Sequence, residues 1–215
     1  MNGLPDIVAV VNVTRDSFSD GGRFLSPQAA IAHARDLAAS GASIIELGPA
    51  SSNPDASPVS AEDQIARIAP ILDALSDAQS SAESLEPDAS RNATMTVSID
   101  ATDPEVLRYA LGRGVSMLND VRGFPEPERH PEWAESDALL VVVHSLLALE
   151  RATRDQASPR KVLDSIERFF DQRLAELVRA GVREDRLIVD PGMGFFLGSD
   201  PRASLAVLHR VCVVQ

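Results

Sequence analysis

Residues 26–48 read SPQAAIAHARDLAASGASIIELG, and they contain one whole repeating unit of the fold. Ser26 before Pro27 is a side-chain cap followed by a proline suited to the first helical turn. From Pro27 to Ser40 the Ala and Leu residues recur at helical spacing. Gly41 stands just past that helix, where glycine takes the left-handed conformation that closes it. Ser43 to Leu47 is then a short Ile-rich run, the mark of a strand. The same grammar recurs along the chain. Apolar runs at Ile7–Val11, Ser43–Leu47, Met95–Ile99, Ser116–Leu118, Ala138–Val143 and Arg186–Val189 predict six strands. Stretches at Pro27–Ser40, Ala61–Leu75, Asp103–Arg113 and Arg160–Ala180 predict helices, with further caps at Ser60 and Asp103 and further stops at Gly114 and Gly181. Continuous apolar strands are expected to be parallel and covered on both faces. The predicted class is therefore α/β, as a (β/α)8 TIM barrel or an open doubly wound sheet. A barrel normally takes about 250 residues, so a barrel here is expected to be incomplete, with about six βα units.

The composition is that of a globular protein, 44% hydrophobic and 24% charged over 215 residues. Its 20 Lys and Arg stand against 32 Asp and Glu, a net charge of −12. Such a field repels phosphate backbones and anionic membranes, which argues against nucleic-acid and membrane partners. Cys212 is the single cysteine, so neither an internal disulfide nor a zinc cluster is available, and a reducing, cytoplasmic location is expected. No run approaches the roughly 20 apolar residues of a spanning helix. Residues 76–94, SDAQSSAESLEPDASRNAT, are acidic and rich in Ser and Ala, and read as a flexible surface insertion, with an extra helix as the alternative.

In either α/β architecture ligands bind beyond the carboxyl ends of the strands. There the chain places Asn12, Gly48–Ala56, Asp100, Asn119-Asp120, His144-Ser145 and Asp190-Pro191-Gly192. Carboxylates at Asp100 and Asp190 with amides at Asn12 and Asn119 suit a flat heterocycle. A carboxylate accepts two parallel N–H bonds, as an exocyclic amine beside a ring N–H offers, and an amide complements the remaining ring atoms. Taken singly, each of these residues could instead cap a helix or close a turn. Asn12 can also give an oxygen to Mg²⁺, whose other ligands would be waters and phosphate. The polar loop Asn12–Gly22 reads as a lid or as a solvated turn. His144 reads as a substrate ligand or as a satisfied structural residue, while Tyr109 and Trp133 read as packing. The glycines of Gly192–Gly198 could form a nucleotide-phosphate loop, although their spacing is not that of a dinucleotide fingerprint.

Five motifs resemble dihydropteroate synthase in order and spacing: NVTRDSFSDGGRF at 12–24, SID at 98–100, LND at 118–120, VVVHS at 141–145 and DPGMGFF at 190–196. The resemblance runs from Ile7 to about Leu208. It implies a (β/α)8 barrel that condenses 6-hydroxymethyl-7,8-dihydropterin diphosphate with 4-aminobenzoate, giving 7,8-dihydropteroate and diphosphate in folate biosynthesis. It further implies that Asp100, Asn119 and Asp190 bind the pterin and carry the catalytic site, that Ser52 and Phe195 contact substrate, and that Asn12 meets Mg²⁺ and diphosphate. The family's Gly-Gly-Glu-Ser-Thr-Arg-Pro-Gly loop is here Gly48-Pro49-Ala50-Ser51-Ser52-Asn53-Pro54-Asp55, with Asn53 in place of the arginine. This loop, with Gly123-Phe124-Pro125 and Phe195–Gly198, is similar to the sulfonamide-insensitive branch carried on mobile elements. Arg15 stands where the family more often has Pro, either as a diphosphate contact or as a solvated residue. The family's Lys after strand seven, and its Arg and His after strand eight, have no counterpart before Gln215. The expectation is thus a barrel lacking its last two βα units, and a homodimer at full length. Two alternatives are kept: a noncatalytic pterin-binding remnant and an open-sheet nucleotide-phosphate binder.

Overall fold

The computed structural model describes residues 5–14, 26–51, 57–83, 96–146, 159–198 and 200–213. Strands and helices alternate in the order β1 (Val8–Asn12), α1 (Pro27–Ala39), β2 (Ile44–Gly48), α2 (Ala61–Glu83), β3 (Thr96–Asp100), α3 (Pro104–Gly112), β4 (Met117–Asp120), α4 (His130–Glu135), β5 (Leu139–Val143), α5 (Pro159–Arg179), β6 (Leu187–Asp190) and α6 (Pro201–Val213). Short 3-10 turns at Pro127–Arg129, Glu184–Arg186 and Gly194–Leu197 lead into α4, β6 and the last helix connection. All six predicted strands are present, each within two residues of its expected ends. The chain falls into two compact units, Met1–Leu118 and Asn119–Gln215.

In the first unit β1, β2 and β3 pair in parallel, with Asn12 opposite Gly48 and Leu47 opposite Ile99. Ser116 donates its N–H to the Val97 carbonyl at 3.3 Å, which brings the start of β4 beside β3. Strand side chains alternate between faces. One face carries Val11, Ile45, Leu47, Val97 and Ile99, all buried, against the apolar stripes of the helices: Ala30 and Ala34 of α1, Ile68, Ile71, Leu72 and Leu75 of α2, and Val106, Leu107 and Ala110 of α3. The other face carries Asn12, Glu46, Gly48, Ser98 and Asp100. The expected caps form as read. The Ser26 hydroxyl accepts the Ala29 N–H, Ser60 accepts the Asp63 N–H while donating to its carboxylate, and Asp103 accepts the Glu105 N–H. Gly41 closes α1 with φ +106°.

In the second unit β5 and β6 pair in parallel, with Val143 opposite Asp190. Val162 and Ile166 of α5 pack with Leu197, Ala203 and Val207 into one cluster, against which Leu146, Leu163 and Phe170 lie. Trp133 is buried and sits 6.1 Å from the Phe124 ring, which confirms it as packing.

Two expectations change. Coverage on both faces holds for β2, which is buried throughout, but Val8 and Val10 of β1 and Ile188 and Val189 of β6 are exposed. The insertion expected at 76–94 does not begin at Ser76, because α2 runs on to Glu83. A helix already nucleated on its buried stripe elongates through Ser76–Glu83, which holds no Gly or Pro to stop it; residues 84–94 lie outside the described set. Helix α4 carries Trp133 and is too short to display a period in the sequence, while α6, after the glycine-rich turn, is the helix of the expected sixth βα unit. Among the described residues no helix is long and apolar enough to cross a membrane.

Candidate active site

The first unit brings Asn12, Gly48 and Asp100 to the carboxyl ends of three adjacent strands. The Asn12 carboxamide lies over Gly48, for a Cβ built on that glycine would stand 3.0 Å from Asn12 Oδ1. A side chain at position 48 would therefore crowd the Asn12 amide. The Val13 N–H continues the ladder to the Gly48 carbonyl at 2.9 Å, fixing the strand end from which Asn12 projects. One layer deeper Ser98 donates to Glu46 at 2.9 Å, and both are buried. This pair was missed in the sequence, where the Ser43–Leu47 run was read as apolar despite Glu46. Ser52, Asn53 and Arg15, with most of the lid-like loop, lie outside the described residues.

In the second unit Asp190 closes β6. Its Oδ1 accepts the Gly192 N–H at 2.8 Å, so one oxygen is committed to the turn, and Asp190 does serve the bland turn-closing role as well. A carboxylate offers about four lone-pair sites, which leaves acceptor capacity for a ligand. Gly192 has φ +73°, and a Cβ built on it would fall 2.5 Å from the His144 carbonyl oxygen, so the turn admits only glycine. His144 is fully buried, its ring nitrogens reaching the Pro191 carbonyl and the Ser165 hydroxyl, each at 3.3 Å. Burial lowers its pKa, with the Pro191 bond opposing, so the ring is held neutral and both its nitrogens are engaged within the protein. Asn119 of β4 has a carboxamide oxygen shielded from solvent. Phe195 falls in the 3-10 turn Gly194–Leu197, and its side chain lies outside the described set.

Asp120 is a correction to the expected rim. Successive strand residues face opposite ways, so Asp120 turns away from the face of Asn119 and closes the next turn instead. It is buried and accepts the N–H groups of Arg122 at 2.8 Å and Phe124 at 3.0 Å. Arg173 of α5 clamps the same turn by donating to the carbonyls of Gly123 and Phe124. Burial pushes the Asp120 carboxyl up to about 6, against the pull of those N–H bonds and the Arg122 charge. A carboxyl raised in the folded state stays protonated there at a pH where the unfolded chain has released the proton. The contribution of this group to stability is therefore fully present below about pH 4 and is lost as pH rises through 6. We expect wild-type stability, relative to Asp120→Asn, to fall by roughly 1 kcal/mol between pH 5 and pH 7. Urea unfolding of both proteins at the two pH values measures it, and a constant difference contradicts the assignment.

Among the described residues no group of three His, Cys, Asp or Glu side chains could hold a metal ion. The donor set fits a different arrangement, in which a neutral amide oxygen such as Asn12 Oδ1 supplements a Mg²⁺ that arrives with phosphate oxygens. The nucleotide-phosphate loop does not fit. The Gly192 N–H is taken by Asp190, the Gly194 N–H by the Ser204 hydroxyl at 3.1 Å and the Phe196 N–H by the Met193 carbonyl at 3.3 Å, so these donors are turned inward.

Comparison with known proteins agrees with this geometry. Residues 8–214 match the family model described as pterin binding enzyme. The chain is 51% identical over 210 residues to dihydropteroate synthase type-2 of Escherichia coli, an alignment covering 98% of this chain and 72% of that one. The fold is similar to the dihydropteroate synthase of Anaplasma phagocytophilum with bound 6-hydroxymethylpterin-monophosphate, with TM-score 0.75, 32% identity, and 96% and 73% of the two chains covered. It is similar also to the Xanthomonas albilineans dihydropteroate synthase with 4-aminobenzoic acid, with TM-score 0.73, 30% identity, and 98% and 70% covered.

Proposed function

The chain belongs to the pterin-binding enzyme family, and from that premise we propose that it is a dihydropteroate synthase, joining 6-hydroxymethyl-7,8-dihydropterin diphosphate to 4-aminobenzoate with release of diphosphate. The observation that supports this best is the Asp190 carboxylate, fixed at the end of β6 by the Gly192 N–H at 2.8 Å and so pre-set to accept donors from a heterocycle. By resemblance Asp190, Asp100 and Asn119 are assigned to the pterin, where a carboxylate can accept amine and ring N–H groups and an amide can complement a neighbouring ring atom. Holding the ring fixes the exocyclic methylene relative to the incoming amine, which lowers the entropic part of the barrier. The aniline nitrogen forms a C–N bond as the C–O bond to diphosphate breaks, and the amine proton passes to solvent. An arylamine is already neutral at pH 7, so no side chain has to act as a strong base. Asn12 is the residue assigned to Mg²⁺, which when bound supplies charge neutralisation for the departing diphosphate. By resemblance Ser52 is assigned to substrate binding and Phe195 to the aminobenzoate side. The chain departs from the family at Asn53, where an arginine is usual, and this supports a site that discriminates against sulfonamides.

The test is turnover, with both substrates and Mg²⁺, by a protein in which this chain is joined to a segment carrying the family's Lys, Arg and His. We expect dihydropteroate and diphosphate in equal amounts, with a sulfonamide inhibition constant well above the Michaelis constant for 4-aminobenzoate. Pterin binding without any product overturns the enzymatic reading, and an inhibition constant close to the Michaelis constant overturns the sulfonamide one.

A further inference from the structure

We propose that His144 is a positioning residue for Asp190, holding the pterin-binding carboxylate in place through the Nδ1–H bond to the Pro191 carbonyl. This rests on the reading of Asp190 as the pterin acceptor. A carbonyl can only accept, so Nδ1 of the neutral ring must carry the proton in its 3.3 Å contact with Pro191. Nε2 is then the acceptor, and the Ser165 hydroxyl of α5 donates to it at 3.3 Å. The backbone of the same residue adds a second tie, since the His144 N–H donates to the Asp190 carbonyl at 2.8 Å. Gly192 closes the arrangement from the other side, pressed against the His144 carbonyl so tightly that no side chain fits. The ring edge also meets Phe169, with centroids 5.4 Å apart. His144 is thus wedged between α5 and the turn, with no exposed surface, and every polar contact of its ring is accounted for. What it fixes is the segment whose Gly192 N–H grips Asp190 Oδ1.

Two conservative variants separate this role from simple packing. In His144→Asn the amide nitrogen falls near the place of Nδ1 and can still donate to Pro191. In His144→Gln it falls near Nε2, keeping Ser165 and losing Pro191. Both lose the ring contact with Phe169, so their melting temperatures should fall alike. We expect 6-hydroxymethylpterin diphosphate to bind His144→Asn within about threefold of wild type and His144→Gln about tenfold or more weakly, the loss that one missing hydrogen bond to a fixed acceptor brings. Exchange of the Gly192 amide, measured without ligand, should accelerate about tenfold in His144→Gln and stay near the wild-type rate in His144→Asn. Equal amide exchange in the two variants, or equal pterin affinity where wild type binds, overturns the proposal. If wild type binds no pterin while the exchange pattern holds, the positioning stands and the functional reading of Asp190 falls.

Discussion

Asp190→Asn is expected to reduce pterin affinity about a hundredfold or more while leaving the fold intact. The asparagine side-chain oxygen can still accept the Gly192 N–H at the 2.8 Å position, so the turn closes as before. The other oxygen becomes an NH₂ group, which presents donors to the donors of the pterin. One bond to a charged acceptor is lost, of about 1.5–3 kcal/mol, the bond to the remaining oxygen weakens with the loss of its charge, and a donor is left facing another. Titration calorimetry with 6-hydroxymethylpterin diphosphate reads the loss, and unfolding in urea should move by less than about 1 kcal/mol. Affinity equal to wild type removes Asp190 from the site.

Arg186→Met is expected to be the most damaging substitution outside the site, at about 3–5 kcal/mol. Arg186 is 2% exposed and stands at the entry to β6. It donates to the Ala138 carbonyl at 2.7 and 2.9 Å, to the Trp133 carbonyl at 2.9 Å and to the Ser136 hydroxyl at 2.9 Å, tying the end of α4 and the start of β5 to the start of β6. Methionine fills much of the same volume but removes all of these bonds, although the Trp133 carbonyl keeps the Ser136 hydroxyl at 2.9 Å. Arg186→Lys should lose less, because a single ammonium can reach one or two of them but cannot fork. Equilibrium unfolding of the two variants provides the ranking, and a loss under about 1 kcal/mol in Arg186→Met would mean that water replaces the guanidinium.

The fold was legible because its signals are local. Ser26, Ser60 and Asp103 mark helix starts through bonds to residues two or three positions on, and Gly41 marks a stop by its own backbone angle. The strands were legible because β-branched residues cluster in them, and their polar last residues Asn12, Asp100 and Asp190 pointed correctly to the carboxyl ends. Asp120 was misplaced because adjacency in sequence was read as adjacency in space, whereas neighbours on a strand face opposite ways. Arg186 and Arg173 were invisible for another reason. Their partners are main-chain carbonyls about 50 positions away, and no residue type announces a carbonyl that needs a donor. The end of α2 was missed because Ser76–Glu83 lacks apolar periodicity, although nothing in it breaks a helix.

The measurement that bears most directly on the account is the melting temperature of this chain with Mg²⁺ and either 6-hydroxymethyl-7,8-dihydropterin diphosphate or guanosine diphosphate. Both ligands carry a diphosphate, so only a site that reads the pterin separates them. A ligand at about a hundred times its dissociation constant stabilises the native state by about 2.7 kcal/mol, a shift of several degrees. The account predicts that shift with the pterin and none with the nucleotide; a shift with the nucleotide alone, or with neither, would contradict it.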